Sequence, residues 1–567
     1  MRINGARAVI ESLKNEDVEI VFGYPGGAVL TLYDEIYKTK FPHILTKHEQ
    51  GAVHAADGYA RATGKIGVCI ATSGPGATNL ITGIATANID SIPLVCITGQ
   101  VATPFIGRDS FQEADVCGIT SPITKHNYLV RDVRELSRVL KEAFFIAGTG
   151  RPGPVVIDIA KDVFAAEVDY EYPAEVNLRG YSGKYIGNEK DLDKAVKLLK
   201  QAEKPLVFVG GGVVSSGTYI SFREFINMLG IPVTSTLMGL GCVEPEQKGN
   251  LGMAGMHGSY AANMAIMQCD LLIGIGVRFD DRVTGIMKEF APKAKIIQFD
   301  IDYAEVNKNV VSYLSVIGDL RWSLPLLCKK TKIYAEKIKK NSAQWIDYVI
   351  KMHKNNPFSY KKSDNHIMAQ EIIEKTAELT ENDTIAVTDV GQHQMWAAQF
   401  FKVYGPRHFI TSGGLGTMGY GLPAAMGAKI GCPDKAVVLF TGDGSIMMNC
   451  QEMATLADYD INVKIIVIHN HVLGMVTQWQ RMFYGKRYSQ SILNSKADIV
   501  KIAQAMGIKG IRIDEKTDLI KILKQTLAQQ GPALIDVNVP DTEDVLPMVP
   551  GGKRLDQMIM ESEAANK

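Results

Sequence analysis

With 567 residues, 46% hydrophobic and 22% charged, the chain has the composition of a soluble globular protein and is too long for one core, so two to four domains are expected. Lys plus Arg and Asp plus Glu both number 61; with no basic excess to drive counterion release, nucleic acid is not an expected partner. Cys69, Cys96, Cys117, Cys242, Cys269, Cys328, Cys432 and Cys450 form no Cys-x-x-Cys pair, which argues against a zinc centre or a disulfide framework and fits a reducing compartment.

In chain order, residues 1–6 lead straight into an amphipathic helical pattern. They carry neither the apolar core of a signal peptide nor the Arg/Ser-rich run of a transit peptide. No stretch of about 18 apolar residues is present to cross a bilayer, so a cytoplasmic protein with no membrane partner is expected. Up to residue 165, apolar runs at 20–22, 44–46, 68–72, 94–98 and 155–159 read as strands, separated by helical patterns such as 51–63 and 77–88. Residues 166–190 are polar and rich in Tyr, Pro and Gly, as a linker would be. A second unit, 190–335, has strands at 206–209, 233–235, 271–274 and 296–299, and a charged segment at 329–364 reads as helix plus linker. A third unit, 365–545, has strands at 385–388, 437–440, 464–468 and 534–537. The tail, 546–567, is Pro/Gly-rich and then helical, fit either to cover an active site or to fray. Strand–helix alternation of this kind predicts an α/β chain of three consecutive doubly wound parallel-sheet domains.

In the third unit Asp443, in Gly442-Asp443-Gly444-Ser445, and Asn470, 27 positions further on, each fall just past the end of an apolar strand run. In an open α/β sheet that rim binds ligands. A carboxylate and an amide oxygen there suit Mg²⁺ that is shared with phosphates. Glu49 follows a strand and opens a helix, where an acid by itself reads as a cap. Ser73-Gly74-Pro75-Gly76 and Tyr24-Pro25-Gly26-Gly27 can cradle an anion or allow close packing. The middle unit places Gly210-Gly211-Gly212 directly after a strand and Asp300 and Asp302 at the end of another, as a dinucleotide diphosphate and ribose would require.

Asp443, Asn470 and Leu473-Gly474-Met475 together resemble the diphosphate anchor of thiamine-diphosphate enzymes, in which the Asp, the Asn and a backbone carbonyl, here that of Val472, hold the metal. The chain departs from that pattern in carrying His469 where the family has a first Asn. From Gly5 to about Met558 the sequence resembles acetohydroxyacid synthases, through Phe111-Gln112-Glu113, Lys161, Arg282, Gly391-Gln392-His393-Gln394-Met395-Trp396, the stretch 412–421 and Met475-Val476-Thr477-Gln478-Trp479.

The resemblance implies a first domain that binds the pyrimidine of thiamine diphosphate, a middle domain that binds FAD and a third that binds diphosphate and Mg²⁺. It implies that Glu49, Gln112 and Gly27 are catalytic, Glu49 sitting in a dry pocket against the pyrimidine so that the cofactor can lose a proton. It assigns Gln392, His393, Gly416, Met418, Asp443, Gly444, Ser445, Asn470, Leu473, Gly474 and Met475 to thiamine diphosphate. It assigns Arg151, Gly211, Gly212, Thr236, Leu237, Met256, His257, Gly276, Val277, Arg278, Asp280, Arg282, Val283, Asp300, Ile301 and Asp319 to FAD. Phe111, Lys161, Arg282 and Trp479 would face the 2-oxo acid substrates. The activity implied is decarboxylation of pyruvate and transfer of its two-carbon unit to a second pyruvate or to 2-oxobutanoate, in branched-chain amino acid biosynthesis. The implied assembly is a homodimer or homotetramer with sites between subunits and a separate small regulatory subunit. Alternatives are a pyruvate oxidase or 2-oxo acid decarboxylase of the same build, although residues 109–118 lack the His-His pair of such decarboxylases. A flavin-binding protein without activity is a third reading, against which Glu49, Asp443 and Asn470 together speak.

Overall fold

The continuous apolar runs become the inner strands of three six-stranded parallel sheets in a computed structural model that describes residues 1–561. Edge to edge, the first sheet is His43–Leu45, Val21–Gly23, Gly67–Ala71, Leu94–Gln100, Pro154–Ala160 and His126–Val130. The second is Asn250–Met253, Val233–Ser235, Pro205–Val209, Leu271–Ile275, Lys295–Asp300 and Leu314–Ile317. The third is Phe409–Ile410, Ile385–Thr388, Val437–Gly442, Val463–His469, Ala533–Asn538 and Lys509–Ile513. Inner strands such as Leu94–Gln100 and Pro154–Ala160 are buried along their whole length, as strands covered by helices on both faces must be.

In each sheet the chain reverses its direction of travel between two adjacent strands, and a crevice opens at their carboxyl ends. Val21–Gly23 and Gly67–Ala71 flank the first crevice, Pro205–Val209 and Leu271–Ile275 the second, and Ile385–Thr388 and Val437–Gly442 the third. The loops leaving these strands are the ones that carry Gly26-Gly27 and Thr72–Gly76, Gly210–Gly212 and Gly276, and Asp389–His393 and Asp443.

Three expectations are corrected. Ahead of helix Gly5–Asn15, Arg2–Asn4 is an extended strand antiparallel to Glu167–Asp169, so the first part of the expected 166–190 linker is sheet. The helical pattern at 77–88 divides into Pro75–Thr78 and Ile81–Asp90. The tail forms no helix among its described residues. Instead Val549 N–H donates to Met256 (2.8 Å) and Ile286 N–H donates to Lys553 (3.2 Å), which straps the tail across the middle domain. Residues 562–567 lie outside the described residues. The segment 329–364 supplies the end of helix Leu320–Lys332, all of Ala335–Asn355 and then coil.

The first and third domains meet within the chain through helices Glu49–Thr63 and Gly421–Gly431. Small residues permit this: a Cβ on Gly427 would lie 1.8 Å from Ala55 O, and one on Gly58 would lie 2.1 Å from Ala424 O.

Candidate active site

A single cavity of about 1370 Å³ joins the crevice of the middle domain to that of the third. At its third-domain end Asp443 and Asn470 are both buried at 6% exposure. Burial pushes the Asp443 carboxyl above its ordinary range, against the opposing pull of His469 and His471. Asn470 Nδ2 donates to Gln392 Oε1 (3.2 Å) and its Oδ1 accepts from Val472 N (3.3 Å). The glycines around them leave room for neighbouring side chains, since a Cβ on Gly474 would lie 2.1 Å from Gln392 Oε1 and one on Gly444 would lie 2.9 Å from Leu473 Cδ2. His393 borders the same space; burial holds its imidazole down to about 3, hence neutral, and its Nε2 has no partner. Gly416, Met418, Ser445 and Met475 complete this end, and Ser445 Oγ donates to Val390 O (3.0 Å). Cramped glycines, an unpartnered imidazole nitrogen and paired oxygen donors fit a phosphate group together with a cation.

At the middle-domain end Gly210, Gly212 and Gly276 approach one another: a Cβ on Gly212 would lie 2.6 Å from Gly276 Cα, and Gly276 has φ +63. Gly211, Thr236, Leu237, Met256, Val277 and Val283 line the wall. Asp300 is pushed up to about 6 by burial, and burial raises Asp280 as well. His257 Nε2 and Asp280 Oδ1 are buried without partners. The backbone room and these unpaired polar atoms fit a bulky nucleotide cofactor. Arg278, Ile301 and Arg151 also line the cavity, and Arg151 is bound to Ser91 Oγ, Asp302 and Glu305. Asp319 does not line it; its carboxylate caps the helix Leu320–Lys332 and binds Arg321. Arg282 and Trp479 also line the cavity, the latter with its buried Nε1 unpartnered and its ring edge-on to Phe483.

Glu49, Gly27, Gln112, Phe111 and Lys161 do not line this cavity. They share a separate rim on the first domain. Glu49 is half-buried rather than enclosed, its Oε2 accepts from Asn79 Nδ2 (2.9 Å), and its Oε1 would lie 3.3 Å from a Cβ on Gly76. Gln112, at φ +58, packs on Gly74, and Gly27 faces open space. Phe111 is 87% exposed. Large apolar side chains stand exposed beside both groups: Tyr24, Leu30 and Phe105 near the rim, Met448, Val476 and Phe483 near the cavity.

Three family models cover the chain in order: "Thiamine pyrophosphate enzyme, N-terminal TPP binding domain" over residues 3–119, the "central domain" over 192–327 and the "C-terminal TPP binding domain" over 389–537. This chain belongs to the thiamine pyrophosphate enzyme family. Within that family it is 47% identical to the "Probable acetolactate synthase large subunit" of Methanocaldococcus jannaschii, over 98% of this chain and 95% of the relative. It is 46% identical to the "Acetolactate synthase large subunit" of Porphyra purpurea over 98% and 95%. The protein of the same name from Lactococcus lactis is 45% identical over 98% and 96%.

Sequence reasoning did not single out the groups that hold this family architecture at the site. Arg61 bonds Asp57 (2.6 Å), Asp90 (2.9 Å) and Thr411 O (2.9 Å), and Asp90 in turn accepts from the N–H groups of Gly413 (3.0 Å) and Gly414 (2.8 Å). The Asp57/Arg61 pair at helical spacing was readable from the chain. Asp90 had no such signal, and neither did Glu452, which accepts from Lys47 N (3.0 Å) and His48 N (3.1 Å) at the start of the Glu49 helix. Burial tends to lower His469, but its bond to Asp536 and the charges of Asp536 and Asp443 outweigh that and leave it above its ordinary value.

Proposed function

We propose that this chain is the catalytic subunit of an acetolactate synthase, which decarboxylates pyruvate and passes the two-carbon unit to a second pyruvate or to 2-oxobutanoate. Bound thiamine diphosphate supplies the carbanion-stabilising chemistry. Asp443, Asn470 and the Val472 carbonyl would hold Mg²⁺ against its diphosphate, with His393, Ser445 and Gly474 shaping the cradle. Met418 would support the middle of the cofactor. Glu49 would hold a proton at the pyrimidine nitrogen, and Gly27 and Gln112 would face the reacting carbon. Arg282 would orient the acceptor's carboxylate through its fork of donors, with Trp479, Phe111 and Lys161 closing the pocket. The middle crevice would take FAD; transfer between two 2-oxo acids has no net redox change, so the flavin would be structural.

The observation that carries this reading is the separation of Glu49 from the cavity that gathers Asp443, Asn470 and Trp479. Two complementary half-sites, each bordered by exposed apolar side chains, are what an active site shared between two copies of the chain requires. A homodimer or a tetramer of such dimers follows, and feedback control would fall to a separate regulatory subunit.

Glu49→Gln and Asp443→Ala are each expected to lower turnover by about 100-fold or more. Mixed and reassociated, the two variants should recover about a quarter of wild-type activity, because half the dimers then hold one intact site of two. Acetolactate should be the product from pyruvate. No recovery on mixing, with subunit exchange demonstrated, would refute the shared site; oxygen uptake or free acetaldehyde would favour the oxidase or the decarboxylase.

A further inference from the structure

Arg407 lines the cavity just ahead of strand Phe409–Ile410, at φ +65, a backbone conformation that L side chains seldom adopt. Burial pulls its guanidinium below the ordinary value, and no carboxylate is bonded to it among the described residues. Instead Nη1 donates to Arg61 O (3.0 Å) and Nη2 donates to Val214 O (3.1 Å). Each acceptor lies in the last turn of a helix, Glu49–Thr63 in the first domain and Gly211–Ser216 in the middle one. Carbonyls there lack the usual donor four residues on and carry the negative end of the helix dipole, so one guanidinium suits both. Gly64 makes room for it: a Cβ there would lie 3.0 Å from Arg407 Cζ. The two helices begin at different places of chemical interest, one with Glu49 and the other with Gly211 and Gly212 in the middle crevice. Arg407 itself leads into the stretch 411–418, whose Gly416 and Met418 line the third-domain end, and Thr411 O accepts from Arg61 Nη1 (2.9 Å). Met238 makes a second bridge. A Cβ on Gly211 would lie 3.1 Å from its Cβ, and one on Gly413 would lie 2.5 Å from its Sδ.

We infer that Arg407 is a positioning residue that couples the two cofactor ends of the cavity, so that a flavin held in the middle crevice tightens the binding of thiamine diphosphate at the third-domain end. This rests on the reading of those two ends as FAD and thiamine diphosphate sites and goes beyond it. The helix Gly211–Ser216 has six residues, too few to be stable by itself, so its order depends on what packs against it. A ligand seated on Gly211 and Gly212 fixes the helix, and with it Val214 O. Arg407 carries that constraint to the start of the stretch 411–418 and to the end of the Glu49 helix. The second cofactor then meets a chain whose ordering cost has already been met. Such coupling gives a flavin with no redox task in the net reaction a definite one, and it acts on both half-sites of the chain.

The test uses the full-length protein freed of both cofactors, in the presence of Mg²⁺. Calorimetry measures the affinity for thiamine diphosphate with no FAD and with saturating FAD. Flavin fluorescence measures the affinity for FAD with and without thiamine diphosphate. In wild type each cofactor should tighten the other by the same factor, about 10-fold, because coupling between two sites is reciprocal. Arg407→Ala should bring that factor down to about 2-fold or less. Arg407→Lys, a point charge on a flexible stem that cannot fork to two carbonyls, should fall between them. A merely structural arginine predicts that both affinities weaken together while the factor stays at its wild-type value, and that result overturns the inference. So does a wild-type factor of one, without recourse to any variant. Failure of wild type to bind FAD or thiamine diphosphate at all removes the reading of the cavity on which the inference rests.

Discussion

Glu452 ties the third domain to the start of the helix that presents Glu49, and its removal should therefore cost both stability and turnover. The side chain is fully buried. Its Oε1 accepts from Lys47 N (3.0 Å) and His48 N (3.1 Å), while Oε2 accepts from Thr455 Oγ1 (2.7 Å). Gly51 leaves room for it, since a Cβ there would come within 2.3 Å of Oε1. Glu452→Ala deletes two charge-assisted bonds to backbone donors, each worth about 1.5–3 kcal/mol, and regains part of the carboxylate's burial cost, for a net loss of about 2–4 kcal/mol. That is a fall on the order of 10 °C in the unfolding midpoint of a domain of this size. Freed from its anchor, the Glu49 helix start can shift by about 1 Å, enough to lower turnover about 100-fold. Glu452→Gln is the control. Its amide oxygen can occupy the Oε1 position and keep both backbone bonds, and its NH₂ can donate to Thr455, so the loss should be about 1 kcal/mol with turnover within about 10-fold of wild type. Calorimetry and steady-state turnover of the two variants decide the matter. If Glu452→Gln is as damaging as Glu452→Ala, charge and not geometry holds the helix start, and the reasoning is wrong.

Two further outcomes are expected. Gly27 lacks a left-handed φ and a Cβ there meets nothing within 4 Å, so Gly27→Ala should leave the thermal midpoint unchanged while turnover falls about 10-fold or more; loss of midpoint and turnover together would show that the glycine serves packing. Asp389, fully buried, has its carboxyl pushed up to about 6 by burial, so between about pH 4 and pH 6 the folded chain holds a proton the unfolded chain has lost. Its contribution to stability therefore falls by about 3 kcal/mol as pH rises through that window and is constant above it. Asp389→Asn, whose amide oxygen can keep the bonds from Val390 N and Gly419 N while its NH₂ donates to Thr441 Oγ1, should gain on wild type by that amount from pH 4 to pH 6 in denaturant titrations; a pH-independent difference would refute the assignment.

What the sequence made legible follows from burial. Every inner strand of the three sheets was found, most of them from a largely apolar run, with Val233–Ser235 the least apolar. The strands that were missed, His126–Val130, Asn250–Met253, Leu314–Ile317, Phe409–Ile410 and Lys509–Ile513, are all sheet edges. One flank of an edge strand meets solvent or a loop, so residues such as Asn127, Ser315 and Arg512 interrupt the pattern, and Phe409–Ile410 is too short to carry one. The tail misled for a related reason. Its turn-forming residues lie flat on the middle domain through backbone bonds to Met256 and Gly285's neighbour Ile286, a stabilisation with no periodicity to read.

The site divides along a different line. Residues on loops that leave inner strands, such as Asp443, Gly474 and Gly212, could be named from motif and position, because the rim of a parallel sheet constrains them locally. Which of them share one space could not. Glu49 and Asp443 carry equally specific motifs, yet one lies on an open rim beside Asn79 and the other in a cavity beside Asn470. The intervening geometry is set by Arg61, Asp90 and Glu452, which lock the first domain to the third through loops hundreds of residues apart. Because these bonds fix Glu49 relative to its own third domain and apart from the Asp443 cavity, loosening Glu452 or Asp90 should lower turnover through the placement of Glu49, as the proposed site between two copies of the chain requires.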